Sequence, residues 1–316
     1  MSLPEKKRIG IVGLGAIGAW VYSHLAELPD RVALYVLADT DRVKKLKSDG
    51  VVINGRVYQL NVRDFADSAP ETLDYLIIAS KMPAYPEILA ALTAWVSEGT
   101  QILPLQNGIT SETLAAELYG WDRVIHGIAR IDSQRRGNEV YFNPAQADLV
   151  IGEAQVSALA PQRVAELGEL LTAAGLQVRQ PEDIIRAQWL KYLSNCTVNQ
   201  SLAILDVSYG ALLRSPELLA FIEALGHEIV ALGQAEGVDI GHEDVSKMLV
   251  NFRGLGDNGL PSTLQDLRAK RPTEVDTFAG ECIRLGEKHK LPVPLSQAVY
   301  QMLRVLEQKN AGLLPY

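Results

Sequence analysis

Cysteine is scarce in this chain: Cys196 and Cys282 are the only two among 316 residues. They stand far apart and without nearby metal-ligand partners, so neither a disulfide framework nor a zinc site is expected, and a reducing, cytoplasmic setting is. Positive charge is also short, with 30 Lys and Arg against 38 Asp and Glu and a formal charge of −8. That balance removes the electrostatic footprint expected of a protein that binds nucleic acid or an anionic membrane surface. No apolar stretch approaches the ~20 residues of a membrane span. The basic Lys6, Lys7 and Arg8 ahead of the apolar run 9–21 superficially resemble a secretory signal, but Gly10, Gly13, Gly15 and Gly18 interrupt that run. Internal repeats and low-complexity tracts are absent as well.

What is present is length and apolar content. At 47% apolar residues the chain can bury a real core, and at about 100–200 residues per domain it predicts two domains. Residues 8–12 form a short β-branched run, glycines follow, and 16–28 carries helical spacing, which gives strand, turn and helix. Apolar runs at 32–38, 75–79 and 101–105 read as further strands, with a helical stretch at 86–96 between the last two. Strands that alternate with helices imply a parallel, doubly wound α/β sheet of Rossmann type. Runs at 124–128, 139–143 and 149–152 read as later strands, Gly137-Asn138 marking a hairpin turn between the first two. After a helix at 162–174, ended by Gly175, and a short run at 177–179, only helical patterns remain. The expected domains are therefore 1–181, dinucleotide-binding, and 182–316, all-helical.

Gly13-Leu14-Gly15-Ala16-Ile17-Gly18 is a G-x-G-x-x-G sequence placed between a predicted strand and a predicted helix, the context that gives this motif meaning. Gly13 permits the tight turn, Gly15 lets backbone approach a pyrophosphate, and Gly18 allows the helix to pack on the strand. The N–H groups of the helix start at Ala16 and Ile17 then face the phosphates. Asp39, at the end of the second predicted strand, is placed to accept hydrogen bonds from the adenosine ribose, which points to NAD(H). A 2′-phosphate bearing about −1.5 to −2 would be repelled there unless a cation such as Arg42 intervenes; Arg42, Lys44 and Lys45 also fit a solvated helix face. Lys81 and Asn107-Gly108 follow strand ends, where open α/β sheets bind ligands, although a surface charge and a plain turn explain them too.

In the second domain Lys191, Asn195 and Asn199 are spaced four apart on an otherwise apolar helix. A polar stripe of this kind faces solvent, buried protein groups or a ligand. Pro261-Ser262 reads as a helix start whose hydroxyl and amides could hold a substrate carboxylate, with Glu274 about three turns further along the same or a following helix. Capping and surface ion pairing account for the same residues without a ligand.

Taken in order, the glycine motif, Lys81, Leu105-Gln106-Asn107-Gly108, the Trp189-x-Lys191-x-x-x-Asn195-x-x-x-Asn199 helix, and Ser262-Thr263-Leu264-Gln265-Asp266 with Thr273-Glu274 downstream resemble the ketopantoate reductase (2-dehydropantoate 2-reductase) family over nearly the whole chain. The resemblance implies reduction of ketopantoate to pantoate, as in pantothenate and coenzyme A biosynthesis, with NADP(H) as the cofactor. It implies Lys191 as general acid, Glu274 as partner of the substrate hydroxyl and Ser262 as a substrate contact. Asn107, Asn195 and Asn199 would position substrate and nicotinamide. A lysine with an ordinary pKa of about 10 is cationic at neutral pH, so it can polarise a ketone and deliver a proton as hydride arrives.

Three departures from the family pattern stand out. Ala38-Asp39 occupies the position of a phosphate-binding arginine, which sets NAD(H) against NADP(H). Tyr209 and Gly259, the latter beside Asn258, replace two substrate-side asparagines, so another 2-oxo acid is a candidate substrate. Gln200-Ser201 replaces the proline that follows the second helix asparagine. Rival readings are a related β-hydroxyacid or opine-type dehydrogenase, and a non-catalytic dinucleotide-binding regulator. Apolar faces on the helical domain are compatible with a homodimer.

Overall fold

Apolar residues on both sides of the strands and a break in pattern near residue 180 require two differently built halves. A computed structural model of the chain describes residues 6–67, 72–154, 160–253 and 257–314. It divides into two compact units, Met1–Ile184 and Ile185–Tyr316.

The first unit runs β1 (Lys7–Val12), α1 (Ala16–Leu25), β2 (Val32–Ala38), α2 (Thr40–Asp49), β3 (Val51–Ile53), β4 (Arg56–Tyr58), β5 (Val62–Asp64), β6 (Tyr75–Ile78), α3 (Tyr85–Ala91), β7 (Gln101–Pro104) and α4 (Ser111–Tyr119). It continues with β8 (His126–Arg130), β9 (Ser133–Arg136), β10 (Glu139–Phe142), β11 (Asp148–Gly152), α5 (Ala160–Ala173) and β12 (Val178–Arg179). Five strands form a parallel sheet in the order β5-β2-β1-β6-β7. Alternate side chains supply two cores: Ile9, Ile11, Val36 and Ile77 pack with Trp20 and Leu25 of α1. Val12, Leu37, Leu76 and Ile78 pack with Tyr85 and Leu89 of α3 and Ala115 of α4. Burial on both faces is what a doubly wound parallel sheet demands of its strands. A short depression lined by Lys7, Arg8, Asp74 and Ser97 lies at the amino ends of the strands, away from the glycine turn.

The later strands differ from the expectation. Gly137-Asn138 does turn a hairpin, but its arms are β9 and β10; β8 pairs antiparallel with β11 instead. The arm Ser-Gln-Arg-Arg of β9 is wholly polar and shows no alternation from which a strand could be read. The strands β3, β4 and β5 are three residues each, too short for a periodic signal. Asn54-Gly55, at φ 47° and 80°, turns β3 into β4, the dipeptide hairpin signal that periodicity passes over. The helical stretch expected at 86–96 is α3 followed by a separate 3-10 turn, Thr93–Trp95.

The second unit is helical: α6 (Ile184–Ser194), whose first residue belongs to the first unit, a π turn Asn195–Asn199, α7 (Gln200–Leu205), α8 (Pro216–Ala235), α9 (His242–Arg253), α10 (Ser262–Arg268), a second π turn Asp276–Gly280, α11 (Glu281–His289) and α12 (Pro294–Asn310). Its core joins Ala203, Leu225, Leu264 and Leu303 from four of these helices with Val275 and Ala279 at the second π turn. Among the described residues α8, with 20 residues, is the one helix long and apolar enough to cross a membrane, contrary to the sequence expectation of none. Leu218, Ile222, Leu225, Ile229, Val230 and Leu232 of α8 are buried within the protein, the ordinary condition of a core helix.

Candidate active site

At the carboxyl end of β1 the chain must reverse into α1 within three residues. Gly13 takes φ 85°, and a Cβ there would lie 2.7 Å from the Ser80 nitrogen and 2.8 Å from the Ala79 carbonyl. A Cβ on Gly18 would collide with the Gly13 carbonyl oxygen, so these two glycines are required by packing alone. Gly15 is different. A Cβ at Gly15 would meet nothing within 4 Å, so the turn's outer side is open. Gly15 is the N-cap of α1 and supplies no side-chain hydrogen bond, leaving the first N–H groups, those of Ala16 and Ile17, without a side-chain cap. An open cradle over an uncapped helix start fits a dinucleotide pyrophosphate.

Other residues gather at the same strand ends. Gln106, buried after β7, donates to the Ser80 hydroxyl at 3.5 Å beyond β6, while its Oε1 is buried with no hydrogen-bond partner. Gln106 and Ser80 thus tie two strand ends beside the glycine turn, a pairing that requires the sheet order and that spacing along the chain does not reveal. Asn107 is half-buried beside Gly108, whose φ of 102° explains the glycine; Lys81 is exposed at the start of the 3-10 turn Met82–Ala84. Asp39 is exposed at the end of β2, and its Oδ1 accepts the Arg42 N–H at 2.9 Å as the N-cap of α2. Asp64 pairs with Ala38 across β5 and β2, and hydrogen bonds from the Thr40 side chain and the Ala66 N–H hold its carboxyl below the usual range. Two carboxylates therefore border this strand end.

In the second unit α6 carries Lys191, half-buried, and passes directly into the π turn that holds Asn195, half-buried, and Asn199, buried. π turns inside helices concentrate at functional sites. The stripe expected to run along one helical face is thus borne partly by an α-helix and partly by the wider turn. Asn199 Nδ2 donates to the Ser262 hydroxyl at 2.9 Å and lies 3.5 Å from Asn195 Oδ1, while its own Oδ1 accepts the Thr263 N–H at 3.1 Å. The α10 start is therefore capped by a side chain from the π turn and receives no cap from its own N-cap, Pro261. Ser262 joins the cluster as the acceptor of the Asn199 bond.

Glu274 lies on no α-helix, which corrects the sequence expectation. Helix α10 stops at Arg268, Lys270 takes φ 52°, and Pro272 follows. Glu274 is half-buried between Val275, fully buried, and Thr273, whose N–H and hydroxyl both donate to Glu307 at 2.7 Å. Tyr192, next to Lys191, donates to the Phe278 carbonyl at 2.8 Å, fastening α6 to the π turn that begins two residues after Glu274. Cys196 and Cys282, expected to be unrelated, lie with sulfurs 3.6 Å apart where the first π turn meets the start of α11, and burial pushes the Cys196 thiol up. Tyr209 and Gly259 are joined through Tyr209 N–H to the Gly259 carbonyl at 3.0 Å, and Tyr209 meets the ring of Phe252, a residue that no sequence motif marks.

Comparison with known proteins matches two consecutive family models: Ketopantoate reductase PanE/ApbA over residues 9–155 and its C-terminal counterpart over residues 183–307. The chain is 25% identical over 307 residues to the 2-dehydropantoate 2-reductase of Streptococcus pyogenes serotype M1, covering 94% of this chain and 97% of that one. Among solved structures, a D-mandelate dehydrogenase with NADH and anilino(oxo)acetate superposes with a TM-score of 0.85 at 19% identity, covering 96% and 99% of the two chains. The PanE/ApbA family ketopantoate reductase of Ralstonia eutropha JMP134 does so with a TM-score of 0.80 at 23% identity and the same coverage. The glycine turn, the two-unit architecture and both family matches together show that this chain belongs to the ketopantoate reductase family of oxidoreductases.

Proposed function

We propose that the protein reduces a small 2-oxo acid of the ketopantoate kind to its 2-hydroxy acid, with a nicotinamide dinucleotide held at the Gly13–Gly18 turn. The observation that carries the reading is the polar cluster of the second unit, in which Asn199 holds Ser262 and Thr263 from 63 and 64 positions away beside Asn195, on the helix that continues from Lys191. Bound dinucleotide supplies the hydride that reaches the ketone carbon. Lys191 polarises the ketone oxygen and gives it a proton, so that no alkoxide has to exist free. Glu274 accepts a hydrogen bond from the hydroxyl being formed, and its position is kept by the Thr273 to Glu307 bonds. Ser262 and Asn195 orient the substrate, with Asn199 holding Ser262 in place; Asn107 and Lys81 contact the cofactor.

The border of β2 favours NADH. Asp39, exposed, accepts the Arg42 N–H through Oδ1, and Asp64, in register with Ala38 on the neighbouring strand β5, adds a second negative charge at this strand end. A 2′-phosphate of about −1.5 to −2 charge would meet both. The test is initial-rate oxidation of NADH and NADPH by purified protein with ketopantoate and a panel of 2-oxo acids. Turnover with NADH exceeding that with NADPH supports the full reading, and loss of that preference in Asp39→Ala supports its cause. Dinucleotide binding without reduction of any 2-oxo acid would refute it.

A further inference from the structure

Two thiols with no part in the proposed reaction meet inside the second unit. Cys196 lies in the first π turn and Cys282 on the first turn of α11, 86 positions apart in the chain, with their sulfurs 3.6 Å apart. Both are buried and both are free thiols. Their separation is a van der Waals contact, well outside the ~2.05 Å of a sulfur–sulfur bond. The Tyr192 hydroxyl, which donates to the Phe278 carbonyl at 2.8 Å, lies 3.2 Å from the Cys282 sulfur. Cys282 therefore touches Cys196 and Tyr192, and these are the residues that directly follow Asn195 and Lys191 in the chain.

Two thiols in contact are one two-electron oxidation away from a disulfide, and a peroxide is an oxidant small enough to enter a packed interior. One sulfur, as thiolate, attacks a peroxide oxygen; the O–O bond breaks, water leaves once the proton is returned, and a sulfenic acid remains. The second sulfur gives up its proton and attacks the sulfenic sulfur, the S–O bond breaks and a second water leaves. Two thiols and one hydrogen peroxide thus become one disulfide and two waters. Contact between the sulfurs makes the second step intramolecular. Burial makes the first step slow, because a packed and protonated thiol is reached only through local opening, so the pair responds to sustained rather than brief exposure. Closure from 3.6 Å to ~2.05 Å takes about 1.5 Å out of the gap between the π turn and α11. Close packing leaves side-chain rotation little room to absorb that change, so the backbone follows. Asn195 is carried with Cys196, and Lys191 with Tyr192, whose hydroxyl rests on the sulfur that moves.

We infer that Cys196 and Cys282 form a peroxide-sensitive modification site, at which a disulfide closes and shifts Asn195 and Lys191 out of their working positions. The cross-link stands on the sulfur geometry alone; its effect on turnover rests on the reductase reading above. In the experiment the purified full chain is held in hydrogen peroxide for about an hour or more, the timescale of uncatalysed disulfide chemistry. Catalase then removes the peroxide, free thiols are alkylated, and a portion is digested without reductant for peptide mass spectrometry. On the remainder kcat/KM for the 2-oxo acid is measured with NADH and NADPH, beside Cys282→Ser and Cys282→Ala treated alike. The expected result is a peptide pair joined through Cys196 and Cys282, with kcat/KM lowered about 10- to 100-fold, the scale on which a displacement of about 1 Å acts. Dithiothreitol restores both. The two Cys282 variants keep the untreated rate and lose the response. Thiols that stay free, a cross-link that leaves kcat/KM unchanged, or an equal loss of activity in either folded Cys282 variant overturns this inference while the reductase reading stands. Untreated protein that reduces no 2-oxo acid with either dinucleotide overturns the reductase reading, and the joined peptide alone then decides the modification site.

Discussion

The two units build their candidate sites by opposite means. In the first, the working groups are backbone: a reversal forced by Gly13, an open face at Gly15 and the uncapped N–H groups of α1, all within six consecutive residues. In the second, the working groups are side chains on separate segments, held by long-range bonds such as Asn199 to Ser262 and Tyr192 to Phe278. A backbone site tolerates change in nearly every side chain around it but almost none in its glycines. A side-chain site can be re-tuned by single substitutions while its scaffold persists. On the proposed reading, binding of cofactor and choice of substrate are therefore expected to be separable.

That separation can be broken or sharpened by substitution. Lys191→Ala is expected to lower kcat/KM about 10²–10⁴-fold, the usual contribution of a positioned acid. Dinucleotide affinity, read by fluorescence titration, should stay within about twofold, as for independent sites. An equal loss of cofactor affinity would break the comparison.

The first unit should also be the acid-sensitive one. His126 is stacked on Trp121, and burial, with a smaller contribution from Arg163, lowers its pKa to about 4. The unfolded chain binds the proton near pH 6.5 and the folded one only near 4, so stability is complete above about 6.5 and falls as pH drops through that window. The full difference is about 3 kcal/mol. It should vanish in His126→Gln, measured as urea midpoints at pH 7 and pH 4.5.

Within the glycine motif the two predicted effects diverge. Gly18→Ala should cost about 1–3 kcal/mol by overpacking and lower the melting temperature. Gly15→Ala should leave it unchanged and weaken dinucleotide binding about tenfold, roughly 1.4 kcal/mol. The smallest effect belongs to Asn199→Ala, which removes the cap of α10 and should cost about 1 kcal/mol. Trp189, the one tryptophan of the second unit, reports that loss, and KM for the 2-oxo acid should rise with it.

Legibility followed the same division. The α/β then all-helical order was readable because buried parallel strands are apolar on both faces and β2 ends where its apolar run ends, at Asp39. The glycine motif was readable because its parts are neighbours in the chain. The polar strand β9 was not, having no apolar alternation, and neither was the position of Glu274, since Lys270 and Pro272 end α10 before the helical pattern itself fades. Cys196 and Cys282 looked unrelated because nothing local announces that the first π turn packs against the start of α11.

By itself the sequence determined the order of the main elements, the glycine turn and the residue types available for acid catalysis, since each depends on chemical character and spacing over a few turns of chain. Tertiary structure alone decided which of them meet. Asn199 became a cap for the Thr263 N–H and a donor to the Ser262 hydroxyl, Gln106 joined Ser80, and Tyr209 found Phe252, because contacts between remote segments depend on helix packing and sheet order rather than on local propensity.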